Sequence, residues 1–219
     1  MPILADHVLR YLHQLRPERS PVMREMEELA EREQIPIVHW ETGRFLAALV
    51  GAIDPALVLE VGTAIGYSTL HMAEALRSGR IVTIERDPVR AGQAREFLTR
   101  AGVIERVEIV EADALEAIGE LEGPFDLIFV DATKGEYPRY LRLAEPKAAE
   151  RAALVVDNVL MSGSVAFPDD VEVPDDFGSW WGPEQRRTAR ELNERIVNSE
   201  EWPGVVLPVG DGIAFASRR

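Results

Sequence analysis

The sequence contains no cysteine among its 219 residues. This absence excludes disulfide bonds, thiolate metal sites and a cysteine nucleophile. Long apolar runs are also missing, because the longest, residues 45–53, is too short to cross a bilayer. The first residues include charged side chains and no unbroken apolar stretch, unlike a signal peptide. We therefore expect a cytoplasmic protein with no membrane partner.

Positive charge is scarce relative to negative charge. Lysine and arginine total 24 and aspartate and glutamate total 38, for a net charge of −14. Such a balance disfavours broad, non-specific binding to nucleic acid, which requires a cationic surface. The hydrophobic fraction of 46% is typical of a globular protein. The length favours one domain, 1–219, over two.

The first 53 residues are predicted to form helices. One apolar face repeats at helical spacing and comprises Leu4, Val8, Leu12 and Leu15. A second helix is expected to begin after Ser20 and to run to about 34, and a third covers 41–52. These apolar faces indicate packing into a core or against a second copy. We expect 1–35 to be a helical dimerisation segment and 36–219 to be the core that binds cofactor and metal.

From residue 57 the pattern changes to short, β-branched apolar runs alternating with helical segments. The runs are 57–61, 80–85, 106–111, 125–130 and 152–157, and the helices are 66–77, 88–101, 114–121 and 137–149. This alternation predicts a mostly parallel sheet with helices on both faces. Two final runs flank a Gly-Asp-Gly turn at 210–212, which predicts an antiparallel hairpin. The expected fold is α/β, with seven strands and extra N-terminal helices.

Ligands of parallel α/β sheets bind at the carboxyl ends of the strands. The first strand ends in a glycine turn containing Gly62 and Gly66, with Ser68 at the start of the next helix. Glu85 ends the second strand, where an acid suits ribose hydroxyls, and Asp113 follows the third. Together these residues predict a nucleoside site. Each feature also has a structural alternative, a plain turn or a solvated acid.

Strands four and five end in Asp131 and in Asp157-Asn158. If these strands are neighbours, their oxygen ligands converge in a set suited to Mg²⁺. The alternative is that these residues cap helices. Lys134 follows on the same rim, and a lysine beside a dication and a sulfonium is a credible general base. Its alternative is a solvated surface lysine.

The sequence resembles the metal-dependent class I O-methyltransferases, which include catechol and caffeoyl-coenzyme A O-methyltransferases. The resemblance covers about 36–217 and rests on LEVGTAIGYSTLHMA, IVTIERDP, VEADALEAI, FVDATKGEY, VVDNVL and LPVGDGIAF. It implies a Rossmann-like methyltransferase fold, S-adenosylmethionine, a divalent metal (Mg²⁺, with Mn²⁺ or Ca²⁺ as alternatives) and a homodimer formed through the N-terminal helices.

The resemblance also implies roles for individual residues. The methionine part of the cofactor would be held by Val38, Glu60, Gly62 and Ser68. Glu85 would bind the ribose, and Asp113 with Ala114 the adenine. The metal ligands would be Asp131, Asp157 and Asn158, with Asp131 also near the cofactor's amino group. Lys134 would be the base.

Two acceptors remain open. The motifs EVGTAIGYS, DATKGEYPRYL and DNVLMSGSVA resemble bacterial tRNA 5-hydroxyuridine methyltransferases. Basic runs at 139–151 and 186–190 favour tRNA, whereas the acidic loop 167–183, with Trp180 and Trp181, and the net charge favour a small aromatic diol. We expect the diol. A non-catalytic scaffold that binds S-adenosylmethionine is disfavoured, because the set from Asp131 to Asn158 is intact.

Overall fold

The computed structural model describes residues 5–219. The chain begins with three helices, α1 (Asp6–Gln14), α2 (Pro21–Glu33) and α3 (Trp40–Ile53). The Ser20 hydroxyl accepts a hydrogen bond from the Met23 amide at 3.2 Å, so the predicted start of α2 is confirmed. Met23 and Met26 are buried in the core. Of the predicted α1 face, Leu4 lies outside the described residues, and Leu15 is 55% exposed.

The predicted alternation of strands and helices is confirmed. The strands are β1 (Leu57–Val61), β2 (Arg80–Glu85), β3 (Val107–Glu111), β4 (Phe125–Val130), β5 (Ala148–Val156), β6 (Gly204–Leu207) and β7 (Ile213–Ser217). The helices between them are α4 (Tyr67–Ala75), α5 (Pro88–Arg100), α6 (Ala114–Glu120), α7 (Tyr137–Ala144) and α8 (Pro183–Asn198). Short 3₁₀ turns cover 134–136 and 161–166.

The seven strands form one sheet in the order β3-β2-β1-β4-β5-β7-β6. The first five strands pair in parallel, and β7 pairs antiparallel with both β5 and β6. The strand order reverses direction between β1 and β4, so a crevice opens at their carboxyl ends. The fold prediction is therefore confirmed, including the hairpin and the contact between β4 and β5.

Two predicted boundaries are wrong. Helix α7 ends at Ala144 rather than at 149, and β5 begins at Ala148 rather than at 152. Pro146 lies in the connecting 3₁₀ turn, and because it has no amide hydrogen it cannot donate to the Arg142 carbonyl to continue α7. Glu150 and Arg151 near the start of β5 are exposed and polar, so this part lacks the apolar signal of the rest of the strand. No helix within 5–219 has both the length and the apolar character needed to span a membrane.

Candidate active site

A cavity of about 350 Å³ lies at the carboxyl ends of β1, β2 and β4. Most of the predicted site residues line it: Val38, Gly62, Ser68, Glu85, Asp113, Ala114, Asp131, Lys134 and Asn158. Glu60 and Asp157 do not line it, because both are completely buried behind its wall. The structure therefore brings the predicted nucleoside and metal residues to one crevice.

The floor of the cavity is the glycine turn after β1. Gly62 has a φ of 102°, and a Cβ there would lie 2.1 Å from the Asp131 carbonyl oxygen. Only glycine combines this backbone conformation with such close packing. The Asp131 amide also donates to the Val61 carbonyl at 2.9 Å. The ends of β1 and β4 are thus held together at the point where the strand order reverses.

Glu60 is the buried acid beneath this turn. Its two carboxylate oxygens accept hydrogen bonds from Ser68 Oγ and Thr69 Oγ1, each at 2.5 Å. Burial raises the pKa of Glu60 to about 7, although both hydroxyl groups oppose the shift. Ser68 lines the cavity and Glu60 does not. Glu60 therefore affects the cavity wall through its hydrogen bond with the Ser68 hydroxyl.

The acids at the ends of β2 and β3 have backbone partners that the sequence did not reveal. Glu85 Oε2 accepts from the Ala64 amide at 2.8 Å, and Oε1 accepts from the Asp87 amide at 2.9 Å. Asp113 Oδ1 accepts from the Leu115 amide at 2.8 Å and caps α6. Glu85 therefore orders the glycine turn, and Asp113 orders the start of a helix, while both face the cavity.

Asp131 and Asp157 follow paired residues of neighbouring strands, since Val130 pairs with Val156. The helix-cap alternative is wrong for these acids. Thr133, not Asp131, precedes the 3₁₀ turn after β4, and that turn has no side-chain cap. Neither carboxylate oxygen of Asp157 has a hydrogen-bond partner within residues 5–219. Buried polar atoms without partners are rare, so Asp157 needs another explanation.

Lys134 is a cation beside this pair of acids. Its Nζ lies 2.5 Å from Asp131 Oδ1. Burial lowers the pKa of Lys134, but the neighbouring Asp131 and Tyr137 raise it further than burial lowers it. Burial and the charge of Asp131 in turn raise the pKa of Asp157 well above its usual range, against the effect of Lys134. Asp131 and Tyr137 therefore favour the charged, ammonium form of Lys134.

The donor set fits a hard divalent cation. Within residues 5–219, no three histidine, cysteine, aspartate or glutamate side chains form a group that could hold a metal. The predicted set instead combines two carboxylates with the amide of Asn158, which are oxygen donors suited to Mg²⁺. The unpartnered Asp157 carboxylate is the observation in favour of a cation here.

Residues outside the predicted cofactor and metal set also line the cavity. Trp181 reaches it from the loop 167–183, whereas its neighbour Trp180 is 67% exposed. Tyr140 and Arg90 line it from α7 and α5. The helical periodicity of α7 predicts that Tyr140 is a core residue. The local sequence therefore does not indicate that it also lines the cavity. Two adjacent tryptophans carry no signal for which of them faces inward.

The arginines of the basic run 186–190 are buried or paired with an acid. Arg186 is 4% exposed. Arg187 Nε lies 3.4 Å from Asp169 Oδ2, and Arg190 also pairs with Asp169. This run therefore offers little unpaired positive charge to a phosphate backbone.

Several known proteins are similar to this chain in sequence and fold. The O-methyltransferase family model matches residues 14–219. A catechol O-methyltransferase of Mycobacterium tuberculosis is 44% identical over 179 residues, covering 76% of this chain and 77% of that protein. A caffeoyl-CoA O-methyltransferase of Stellaria longipes is 31% identical, covering 94% of this chain and 90% of that protein. An O-methyltransferase from Bacillus cereus, solved in complex with SAH, has a TM-score of 0.82 at 26% identity and covers 97% of each chain.

Proposed function

The chain belongs to the O-methyltransferase family and is an S-adenosylmethionine-dependent enzyme, and we propose that it methylates one hydroxyl of a small catechol-type diol with the help of a divalent cation. The acceptor class rests on the names of the relatives, catechol and caffeoyl-CoA O-methyltransferases. The cation rests on the buried, unpartnered carboxylate of Asp157 beside Asp131.

In this proposal the cofactor occupies the part of the cavity that lies at the ends of β1, β2 and β3. Ser68, oriented by Glu60, and the turn at Gly62 would contact the methionine part, with Val38 covering it. Glu85 would accept from the ribose hydroxyls, and Asp113 with Ala114 would contact the adenine. The positive end of α4 faces the same turn and suits the cofactor's carboxylate.

The metal would be held by Asp131, Asp157 and Asn158. When bound, a divalent cation there would lower the pKa of an acceptor hydroxyl and hold two vicinal oxygens. Asp131, once engaged by a cation, would no longer raise the pKa of Lys134. Lys134 Nζ would then accept the hydroxyl proton. The acceptor oxygen forms a bond to the methyl carbon as the sulfur–methyl bond breaks, which releases S-adenosylhomocysteine.

A tRNA acceptor has less support. It would need an extended cationic surface around the cavity. The net charge is −14, and Arg186, Arg187 and Arg190 are buried or paired. Trp181 at the cavity wall suits an aromatic ring of either acceptor, so it does not favour tRNA.

In the test, the purified protein is incubated with labelled S-adenosylmethionine and Mg²⁺. Two acceptors are supplied in separate reactions. One is caffeic acid, and the other is bacterial tRNA from cells that lack the wobble methyl group. We expect label in caffeic acid and its loss with a chelator. Label in tRNA at a much lower acceptor concentration would overturn the acceptor class. Full activity in chelator would overturn the role of the cation.

The single domain, the homodimer and the cytoplasmic location remain part of the proposal. Helix α2 belongs to the core because Met23 and Met26 are buried and Glu27 accepts from the Tyr67 hydroxyl at 2.6 Å. Exposed apolar side chains on the first helix and at its end, Tyr11 and Leu15, suit contact with a second copy. Light scattering should give a dimer for the wild type and a smaller mass for Leu15→Glu.

A further inference from the structure

A side chain of the Gly-Asp-Gly turn between β6 and β7 contacts one residue of the proposed metal site, Asn158. Asp211 lies at this turn and was predicted only as a hairpin residue. Its Oδ2 accepts a hydrogen bond from Asn158 Nδ2 at 3.3 Å, and its Oδ1 accepts one from the Ser162 amide. Both carboxylate oxygens of Asp211 are therefore committed to the loop that follows β5.

This turn is held rigidly against that loop. The Val159 amide donates to the Gly212 carbonyl at 3.0 Å, and the Leu160 amide donates to the Asp211 carbonyl at 3.2 Å. A Cβ at Gly212, where φ is 85°, would lie 2.4 Å from Leu160 Cγ. The backbone of the turn thus approaches the loop too closely for a side chain, and Asp211 has a defined position beside Asn158.

An ionised carboxylate only accepts hydrogen bonds, so it selects one orientation of a neighbouring amide. Asp211 can bind the NH₂ end of Asn158 but not its oxygen. The Asn158 oxygen is therefore the end that Asp211 leaves free for a cation. Asn158 also has a φ of 57°, a conformation that asparagine tolerates better than most residues. Backbone and side chain together present this amide at the cavity wall.

We propose that Asp211 is a positioning residue that turns the Asn158 oxygen toward the divalent cation. This inference rests on the proposed function, since it assumes a cation held by Asp131, Asp157 and Asn158. Partners that orient metal ligands typically change metal affinity by about 10- to 100-fold when they are removed. Asp211 would act only through Asn158 and would not itself touch the acceptor.

The first variant is Asp211→Asn. Its amide oxygen can still accept from the Ser162 amide, but its NH₂ group then faces the NH₂ group of Asn158. Two donors cannot pair, so Asn158 must turn or move away. We expect the dissociation constant for Mn²⁺, titrated alone by calorimetry, to rise at least about tenfold. Binding of S-adenosylhomocysteine serves as the check that the variant is folded.

The matched control is Asp126→Asn. A single oxygen of Asp126 accepts from the Ala56 and Leu57 amides at 2.9 and 3.0 Å, at the opposite end of the sheet. An asparagine oxygen can make the same two bonds. The control has the same change of charge as Asp211→Asn, and we expect its affinity for Mn²⁺ to equal that of the wild type.

The decisive variant exchanges the two residues, Asn158→Asp with Asp211→Asn. The asparagine at 211 then donates to the aspartate at 158, whose other oxygen is free for the cation. We expect Mn²⁺ affinity to recover to at least the wild-type value, because a donor again faces an acceptor and a carboxylate replaces the amide ligand. If Asp211→Asn fails to fold, the exchanged variant alone decides.

Three results would overturn the proposed role of Asp211. They differ in whether they also contradict the metal of the proposed function. Unchanged Mn²⁺ affinity in Asp211→Asn, or no recovery in the folded exchanged variant, removes the role of Asp211 and leaves the proposed function intact. A wild type that binds no Mn²⁺ removes both this role and the metal in the proposed function. Methyl transfer by the wild type is therefore also measured with and without chelator. Transfer that the chelator abolishes supports the metal in the proposed function, whatever the result for Asp211.

Discussion

The imidazole of His71 on α4 packs directly against Gly43 on α3. A Cβ at position 43 would lie 2.4 Å from His71 Cδ2 and 2.6 Å from His71 Nε2. We expect Gly43→Ala to lower the free energy of unfolding by about 1–3 kcal/mol, because the two helices must separate to admit a methyl group. Urea denaturation of the wild type and the variant measures this change.

A control for that substitution lies in the same helix. A Cβ at Gly51 would meet no described atom within 4 Å. We expect Gly51→Ala to raise the free energy of unfolding by about 0.5–1 kcal/mol, since alanine has the higher helix propensity. Equal effects of the two variants would contradict the close packing at Gly43.

His71 also predicts a dependence of stability on pH. Burial, together with the charges of Arg44 and Arg16, lowers its pKa to about 4 from its usual value of 6.5, while Glu27 opposes the shift. The unfolded chain therefore binds more protons between these values. The contribution of His71 is fully present above pH 6.5 and is lost as the pH falls toward 4, by up to about 3 kcal/mol.

The measurement must separate His71 from Glu60, whose raised pKa acts in the opposite direction in the same range. We therefore compare the wild type with His71→Gln by urea denaturation at several pH values from 4 to 7. As the pH falls, the unfolding free energy of the wild type should decrease relative to that of His71→Gln. A difference that stays constant with pH would mean that His71 does not titrate as described.

Lys134 should be required for turnover but not for cofactor binding. We expect Lys134→Met to lower kcat by about 10²- to 10⁴-fold, because the acceptor hydroxyl loses its proton acceptor. The dissociation constant of S-adenosylhomocysteine should change little. The only other lysine, Lys147, donates to the Gly119 carbonyl at 2.8 Å and supplies the control Lys147→Met. Unchanged turnover in Lys134→Met would remove this lysine from the mechanism.

Glu85 should be required for an ordered cofactor site. Glu85→Gln retains one acceptor oxygen but turns an NH₂ group toward the amide of Ala64 or of Asp87. We expect the loss of one bond to weaken S-adenosylhomocysteine binding by at least about tenfold, with a loss of stability of about 1–3 kcal/mol. Calorimetry measures the affinity.

Glu111→Gln is the matched control for Glu85. Glu111 ends the neighbouring strand β3, and its carboxylate pairs with Arg95 at 2.8 Å on the surface. Its substitution should leave cofactor affinity unchanged. Equal losses in Glu85→Gln and Glu111→Gln would indicate a general effect of negative charge rather than a specific contact.

Local patterns were sufficient to predict much of this protein. The start of α2 after Ser20 was predictable because the cap and the apolar face lie within a few residues of each other. The alternation of strands and helices was predictable because each element carries its own periodicity. Boundaries near Pro146 were wrong because the polar start of β5 resembles a helix end more than a buried strand.

The sequence by itself determined which residue types stand at the strand ends, namely Asp131 with Lys134, and Asp157 with Asn158. Only the tertiary structure decided that β4 and β5 are neighbours, because order along the chain does not specify order within a sheet. It also decided the direction of the Lys134 pKa, which depends on the distance to Asp131. The pairing of Asn158 with Asp211 joins residues 53 positions apart. Such contacts follow from the packing of the whole chain, and no local pattern encodes them.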